Sequence, residues 1–226
     1  DLRTSRGLGD VYKRQKDIIF DEEIDMVIPS TEVYLCKGIK DYLEKEIKNI
    51  KVFGPTKEQA KIEGSKYYSK KIMNELNIPT SNYTFLNNYE EVKKFYKDNH
   101  VCAEETVIKY DGLAKGKGVY LPDTVEESLK VIKNLFYTQD NNSGIIVERR
   151  LYGTEVSVLA FCNGKEAYLM PQAQDYKRIF DGDKGPNTGG MGAICPANIL
   201  TSEELIEVKK HMDKIVKNLN YKGILY

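Results

Sequence analysis

Apolar residues recur along this chain in two rhythms. Helical spacing is clearest at Val125, Leu129, Ile132 and Phe136, at steps of 4, 3 and 4, and again at Leu205, Val208, Met212, Ile215 and Leu219. A start signal precedes each run: Thr124 with Glu127, and Thr201 with Glu204. Thr56 with Gln59 repeats that signal. Gly64 interrupts the helix it opens, and Ser65 caps a second one that runs to about Leu76, where Pro79 prevents extension. Residues 89–98 predict a further short helix.

The other rhythm is that of strands. Asp25 to Ile28 and Lys51 to Phe53 read as short buried strands, and residues 83–86, Thr106 to Lys109 and Gly144 to Glu148 as three more. Val156, Val158 and Ala160 alternate with Ser157, Leu159 and Phe161. Asn163-Gly164 then signals a hairpin, with Glu166 to Met170 returning. Residues 174–196, rich in Gly, Asp and Pro, predict a long loop, and loops of that length are commonly functional. Strands interleaved with helices place the chain in the α/β (α+β) class. Residues 1–15 show neither rhythm; they read as a non-native scar and are left out of the fold. Gly223 to Tyr226 reads as a strand just starting, with no partner, so the chain reads as a piece cut at both ends.

Composition narrows the function classes. Over 226 residues, 41% hydrophobic and 30% charged support a packed core. Lys+Arg and Asp+Glu both count 34, and a zero balance argues against a dedicated nucleic-acid binder. No apolar run approaches the ~20 residues of a membrane helix. Cys36, Cys102, Cys162 and Cys195 are scattered, with no CxxC, which suits reduced thiols in a cytoplasmic protein. His100 and His211 cannot by themselves build a zinc site, and neither lies near a recognisable nucleophile motif.

Four stretches could carry chemistry. Lys109 to Val119 sets Gly112, Gly116 and Gly118 among Lys109, Lys115 and Lys117, a loop whose amides and ammonium groups suit a triphosphate. It is neither a Walker A loop nor a Rossmann turn, since a strand follows it. A flexible hairpin tip with solvated lysines stays open. Glu148 to Glu155 is an extended connection whose backbone could read an adenine edge, with Glu155 placed to accept from ribose hydroxyls; a plain strand connection is the alternative. Asp175 to Arg178, followed by Gly185 to Gly192, offers a guanidinium fork beside glycines that permit close backbone approach. Gly64 to Lys70 places Lys70 on a helix, where a lysine taken alone is solvated.

In this order, GPT-KEQAKIEGSKYYSKKIM, NIPTSNY, VIKYDGLAKGKGV, IVERRLYGTEVSV and GPNTGGMGAICP resemble the phosphoribosylamine–glycine ligase family of the ATP-grasp superfamily, over roughly residues 17–226. The resemblance implies an ATP-grasp fold. Residues 16–55 would end an N-terminal α/β domain, and residues 56–226 would form the ATP-grasp domain, with a small lid subdomain at about 80–150. It implies an ATP-dependent ligase of purine synthesis that joins glycine to 5-phosphoribosylamine through a glycyl phosphate. Lys70, Lys109, Gly112, Gly116, Lys117, Gly118, Glu148, Leu151 and Glu155 would hold ATP. Glu32, Asp175, Arg178, Asn187, Thr188, Gly189, Gly190 and Gly192 would hold the substrates, with Arg178 catalytic. Mg2+ or Mn2+ would be bound by family ligands beyond Tyr226, so this piece would hold no metal residues and be inactive alone. Its partners would be glycine and 5-phosphoribosylamine, not nucleic acid or membrane, and the parent chain could be fused to other purine-synthesis domains. The chain departs from the family at Ser30-Thr31, where Gly-Pro is usual, at Tyr110 and Lys115, where alanines are common, and at Tyr176, where histidine is common. Another ATP-grasp carboxylate–amine ligase and a non-catalytic nucleotide-binding module are the competing readings.

Overall fold

A computed structural model describes residues 8–98, 101–113, 118–138, 143–182 and 184–225. In chain order the first elements are α1 (Leu8–Asp21), β1 (Met26–Val27), α2 (Glu32–Cys36), α3 (Ile39–Glu46), β2 (Lys51–Val52), α4 (Lys61–Gly64) and α5 (Lys66–Glu75). There follow β3 (Tyr83–Leu86), α6 (Tyr89–Asp98), β4 (Thr106–Tyr110), β5 (Val119–Tyr120), α7 (Val125–Thr138) and β6 (Ile145–Arg149). The last are β7 (Ala160–Asn163), β8 (Ala167–Leu169), β9 (Gln174–Phe180), β10 (Lys184–Ile194), α8 (Ser202–Leu219) and β11 (Lys222–Leu225). They fall into two compact units.

The first unit takes the chain up to Glu63, Leu159–Met170, and the chain from Glu203 onward. Its core holds Tyr12, Ile19, Ile39, Leu43, Ile47 and Val52, contributed by α1, α3, β2 and the end of α3. Helix α1 corrects the expectation of no element in residues 1–15, where it begins. Val11, Tyr12, Ile18 and Ile19 stand at helical spacing, and burial of Tyr12 and Ile19 supplies what a short isolated helix lacks. Strands β1 and β2 pair in parallel, but β1 is not buried: Met26 and Ile28 are 52% and 61% exposed.

The box at Thr56 and Gln59 closes reciprocally. Gln59 N–H donates to Thr56 Oγ1 (3.3 Å), and Thr56 N–H donates to Gln59 Oε1 (3.0 Å). Gln59 Nε2 also donates to the carbonyls of Leu219 (3.3 Å) and Asn220 (2.6 Å), at the end of α8 and just past it. Strands β11, β7 and β8 form an antiparallel sheet in that order. The Asn163-Gly164 hairpin forms between β7 and β8, with Gly164 at φ +90°. The regular strand starts at Ala160; Ser157 makes only an isolated bridge to Ala173. The strand expected to stand alone at 223–226 is β11, and it is paired with β7 from Lys222↔Asn163 to Leu225↔Ala160. Cys162 lies buried in this sheet, where burial pushes its thiol up to about 11.

The second unit takes Gly64–Val158 and Pro171–Ser202. Its main sheet is antiparallel with order β3-β6-β4-β5. Ile108, Tyr110, Ile145, Val147 and Leu86 point to one face and pack with Val92, Tyr96, Ile132 and Leu135 of α6 and α7. Strand period two sends Tyr83, Phe85, Val107, Lys109, Ile146 and Glu148 to the other face, because Tyr83 and Val107 both sit opposite Glu148, and Phe85 and Lys109 both sit opposite Ile146. Helix α5 covers part of that face, its Tyr67 ring stacked on Phe85 at 4.0 Å between centroids.

The long loop expected at 174–196 is instead an antiparallel ribbon of β9 and β10. Its pairing slips between Lys184 and Asn187 and again between Asn187 and Gly192, so no period-two pattern survives in the sequence. Thr188 holds the second slip: its hydroxyl donates to Lys177 O (2.9 Å) and accepts from Gly190 N–H (3.0 Å).

Candidate functional site

The site grows from the sheet face opposite α6 and α7. Lys109 and Glu148 are diagonal neighbours on β4 and β6, a separation long side chains span. Glu148 is 4% exposed and paired with Lys109. Its other oxygen meets Lys70 at 2.6 Å and accepts from the Ser81 hydroxyl. Lys70 reaches in from α5, 7% exposed, and also donates to Thr80 Oγ1 (2.9 Å) and Ser81 Oγ (3.0 Å), with its ammonium 5.0 Å from the Tyr83 ring centre. Two cations thus converge on one buried anion. Burial alone would raise the Glu148 carboxyl; hydrogen bonds from Lys109, Lys70 and Ser81 overcome it and hold the group below the usual carboxylate range.

Lys109 and Glu148 open onto a cleft of about 970 Å³. Leu151, Glu155, Asp175, Arg178 and Met191 also line it, all within the second unit. Leu151 and Tyr152 are exposed to 72% and 76%, on a connection whose first residue is fixed by Arg150 N–H donating to Glu105 O (2.7 Å). Lys177 lies 3.3 Å from Glu155 Oε2 and 3.3 Å from Asp175 Oδ2, so the two acids share one ammonium group. Burial lowers the Lys177 ammonium, but both acids outweigh it and hold it above the ordinary lysine value. Arg178 donates to Gly185 O at 2.7 Å, which aims the guanidinium across the ribbon.

The residues singled out from the sequence therefore sort as follows. Lys109, Glu148, Leu151, Glu155, Asp175 and Arg178 gather round one cleft. Lys70 is buried against Glu148, which corrects the solvated reading of this lysine in isolation. Glu148 is an interior ion-pair partner more than part of the exposed connection that follows it. Gly112 and Gly118 lie at the ends of the glycine-rich segment, and Gly118 O accepts from Tyr110 N–H (2.9 Å); Gly116 and Lys117 lie outside the described residues. Thr188, Gly189, Gly190 and Gly192 lie on β10, where a Cβ on Gly189, Gly190 or Gly192 would meet nothing within 4 Å. Asn187 is paired through its backbone with Arg178. Glu32 opens α2 in the first unit, outside the cleft.

Sequence reasoning missed Thr80, Ser81 and Lys177. Thr80 and Ser81 reach Lys70 across the connection from α5 to β3, and the pairing of β3 beside β6 sets Ser81 against Glu148; no local motif marks either. Among the described residues no group of three or more His, Cys, Asp or Glu could hold a metal ion. None of the described helices is long and apolar enough to cross a membrane.

Comparison with known proteins gives the family. The family model for the phosphoribosylglycinamide synthetase N domain matches residues 8–63, and that for the phosphoribosylglycinamide synthetase ATP-grasp (A) domain matches residues 64–226. A phosphoribosylamine–glycine ligase of Caldanaerobacter subterraneus is 37% identical over 223 residues, 95% of this chain and 52% of that protein. A bifunctional purine biosynthetic protein of Schizosaccharomyces pombe is 40% identical over 190 residues, 83% of this chain and 23% of that protein. The crystal structure of phosphoribosylamine–glycine ligase from Thermotoga maritima superposes with a TM-score of 0.68 at 33% identity, covering 80% of this chain and 47% of that one. The chain spans about half the length of the curated ligase it matches, at 52%. Because the two family models together cover residues 8–226, the chain belongs to the phosphoribosylglycinamide synthetase family, and residues 64–226 are matched by that family's ATP-grasp domain.

Proposed function

We propose that this chain binds ATP and the substrates of a ligase that joins glycine to 5-phosphoribosylamine in purine synthesis. One observation carries the reading: Lys109, beside the buried Lys70–Glu148 pair, opens onto a cleft also lined by Leu151, Glu155, Asp175 and Arg178. A carboxylate resists nucleophiles because of its charge. Transfer of the γ-phosphoryl group to a glycine oxygen, with ADP leaving, makes a glycyl phosphate. The amine of 5-phosphoribosylamine attacks its carbonyl carbon, the C–O bond to phosphate breaks, and the amine loses a proton. The protein's contribution is placement and charge neutralisation.

Lys70 and Lys109 hold the phosphates, with Gly112, Gly116, Lys117 and Gly118 of the glycine-rich segment about them. Leu151 and its neighbours receive the adenine, and Glu155 the ribose. Asp175, Arg178 and the Asn187, Thr188, Gly189, Gly190 and Gly192 run hold glycine and the phosphoribosyl group, with Glu32 on the substrate side. The four-stranded sheet with α6 and α7, about residues 80–150, is the smaller subdomain of the nucleotide-binding domain. Mg2+ or Mn2+ would accompany the ATP phosphates; among the described residues no group of three or more His, Cys, Asp or Glu gathers to hold one, and no step is assigned to it. The setting is the cytoplasm, and fusion to other purine-synthesis domains is in keeping with the bifunctional name of the fission-yeast relative.

Binding of the product, glycinamide ribonucleotide, tests the substrate class without turnover. The chain is expected to bind it alongside ATP, and Arg178→Ala to lose the product while keeping ATP. ATP binding without any product binding would favour a nucleotide-only module.

A further inference from the structure

Asp111 stands one residue past β4 and two past Lys109. In the sequence it is the one acidic residue of the glycine-rich segment Lys109 to Val119. The structure gives it other work. Its Oδ2 accepts from the Ser65 hydroxyl at 3.0 Å, and its Oδ1 accepts from Tyr67 N–H at 3.0 Å. Its own N–H donates to Gly144 O at 3.0 Å. Alongside, Lys66 Nζ donates to Gly112 O at 2.9 Å. Burial, opposed by Asp111, lowers that ammonium group below the ordinary lysine value.

These bonds join the end of β4 to the first turn of α5. Ser65 alone already caps the helix, since its Oγ accepts from Tyr68 N–H at 3.0 Å. The carboxylate adds a tie between two elements, placed at the positive end of the helix where an anion is stabilised. Each element carries one of the two lysines that meet at Glu148: Lys109 lies just before Asp111, and Lys70 lies on α5 three residues after Tyr67, on the same face.

We infer that Asp111 is a positioning residue, which locks β4 to α5 so that the Lys70 and Lys109 ammonium groups stand at a fixed spacing for a polyphosphate. The inference rests on the phosphate reading of those lysines. Loss of the tie leaves the Leu151 to Glu155 connection untouched, so its effect falls on the phosphate chain and spares the nucleoside.

The test is calorimetric titration of ATP and of AMP into the wild type, Asp111→Ala and Asp111→Asn. The wild type is expected to prefer ATP. In Asp111→Ala the affinity for ATP is expected to drop about tenfold while that for AMP stays within about twofold. Asp111→Asn keeps one acceptor oxygen and is expected to fall between. A wild-type ATP-to-AMP ratio in Asp111→Ala overturns the inference, whatever happens to its melting temperature. If Asp111→Ala does not fold, a wild-type ratio in Asp111→Asn overturns it equally. A wild type with no preference for ATP over AMP instead overturns the phosphate reading itself and takes this inference with it.

Discussion

Glu148 decides the chemistry of its surroundings. It is a buried carboxylate held by two ammonium groups and a hydroxyl, and taking away one member of such a cluster leaves uncompensated charge. Glu148→Gln is therefore expected to lower unfolding stability by about 3 kcal/mol near neutral pH, measured in urea. The sign of its pH dependence follows from its carboxyl lying below the unfolded value. The contribution is complete above about pH 4.3, the usual glutamate value, and is lost as pH falls through the folded value. The stability gap between wild type and Glu148→Gln is expected to narrow on acidification; a gap independent of pH would contradict the ion-pair assignment. The sequence marks Glu148, Lys109 and Lys70 as candidates. It cannot show that they meet, because that depends on β6 pairing between β3 and β4 and on α5 lying over the resulting face. For the same reason Lys70, read alone on its helix, looks like an ordinary solvated lysine.

At the scale of elements, local chemistry was readable wherever a cap or turn is self-contained. The Thr56–Gln59 box, the Ser65 cap and the Asn163-Gly164 hairpin all form. Gln59 also reaches beyond the box, to the carbonyls of Leu219 and Asn220. Gln59→Ala is expected to cost about 1–2 kcal/mol, seen as a lower urea midpoint at unchanged slope. An unchanged midpoint would mean these bonds only replace equivalent ones to water. Two elements were hidden for opposite reasons. Helix α1 has too few apolar residues to stand alone and is made by packing of Tyr12 and Ile19. The β9–β10 ribbon has strand geometry but glycines and slipped pairing where an alternating pattern would be, so its sequence looks like a loop.

Over the whole molecule, equal numbers of acidic and basic residues, 34 of each, leave no net field to draw a polyanion. In the proposed reading attraction is local, and its source is the pair of lysines at the sheet face of the second unit. Of these, Lys109 alone lines the cleft, so the proposal sets it against an incoming phosphate chain. The decisive measurement is titration of ATP into wild type and Lys109→Ala under identical salt. A charge-assisted contact of this kind is worth about 1.5–3 kcal/mol, so affinity is expected to fall about tenfold to hundredfold in the variant. Equal affinity in the two proteins would contradict the placement of the nucleotide's phosphates at this cluster.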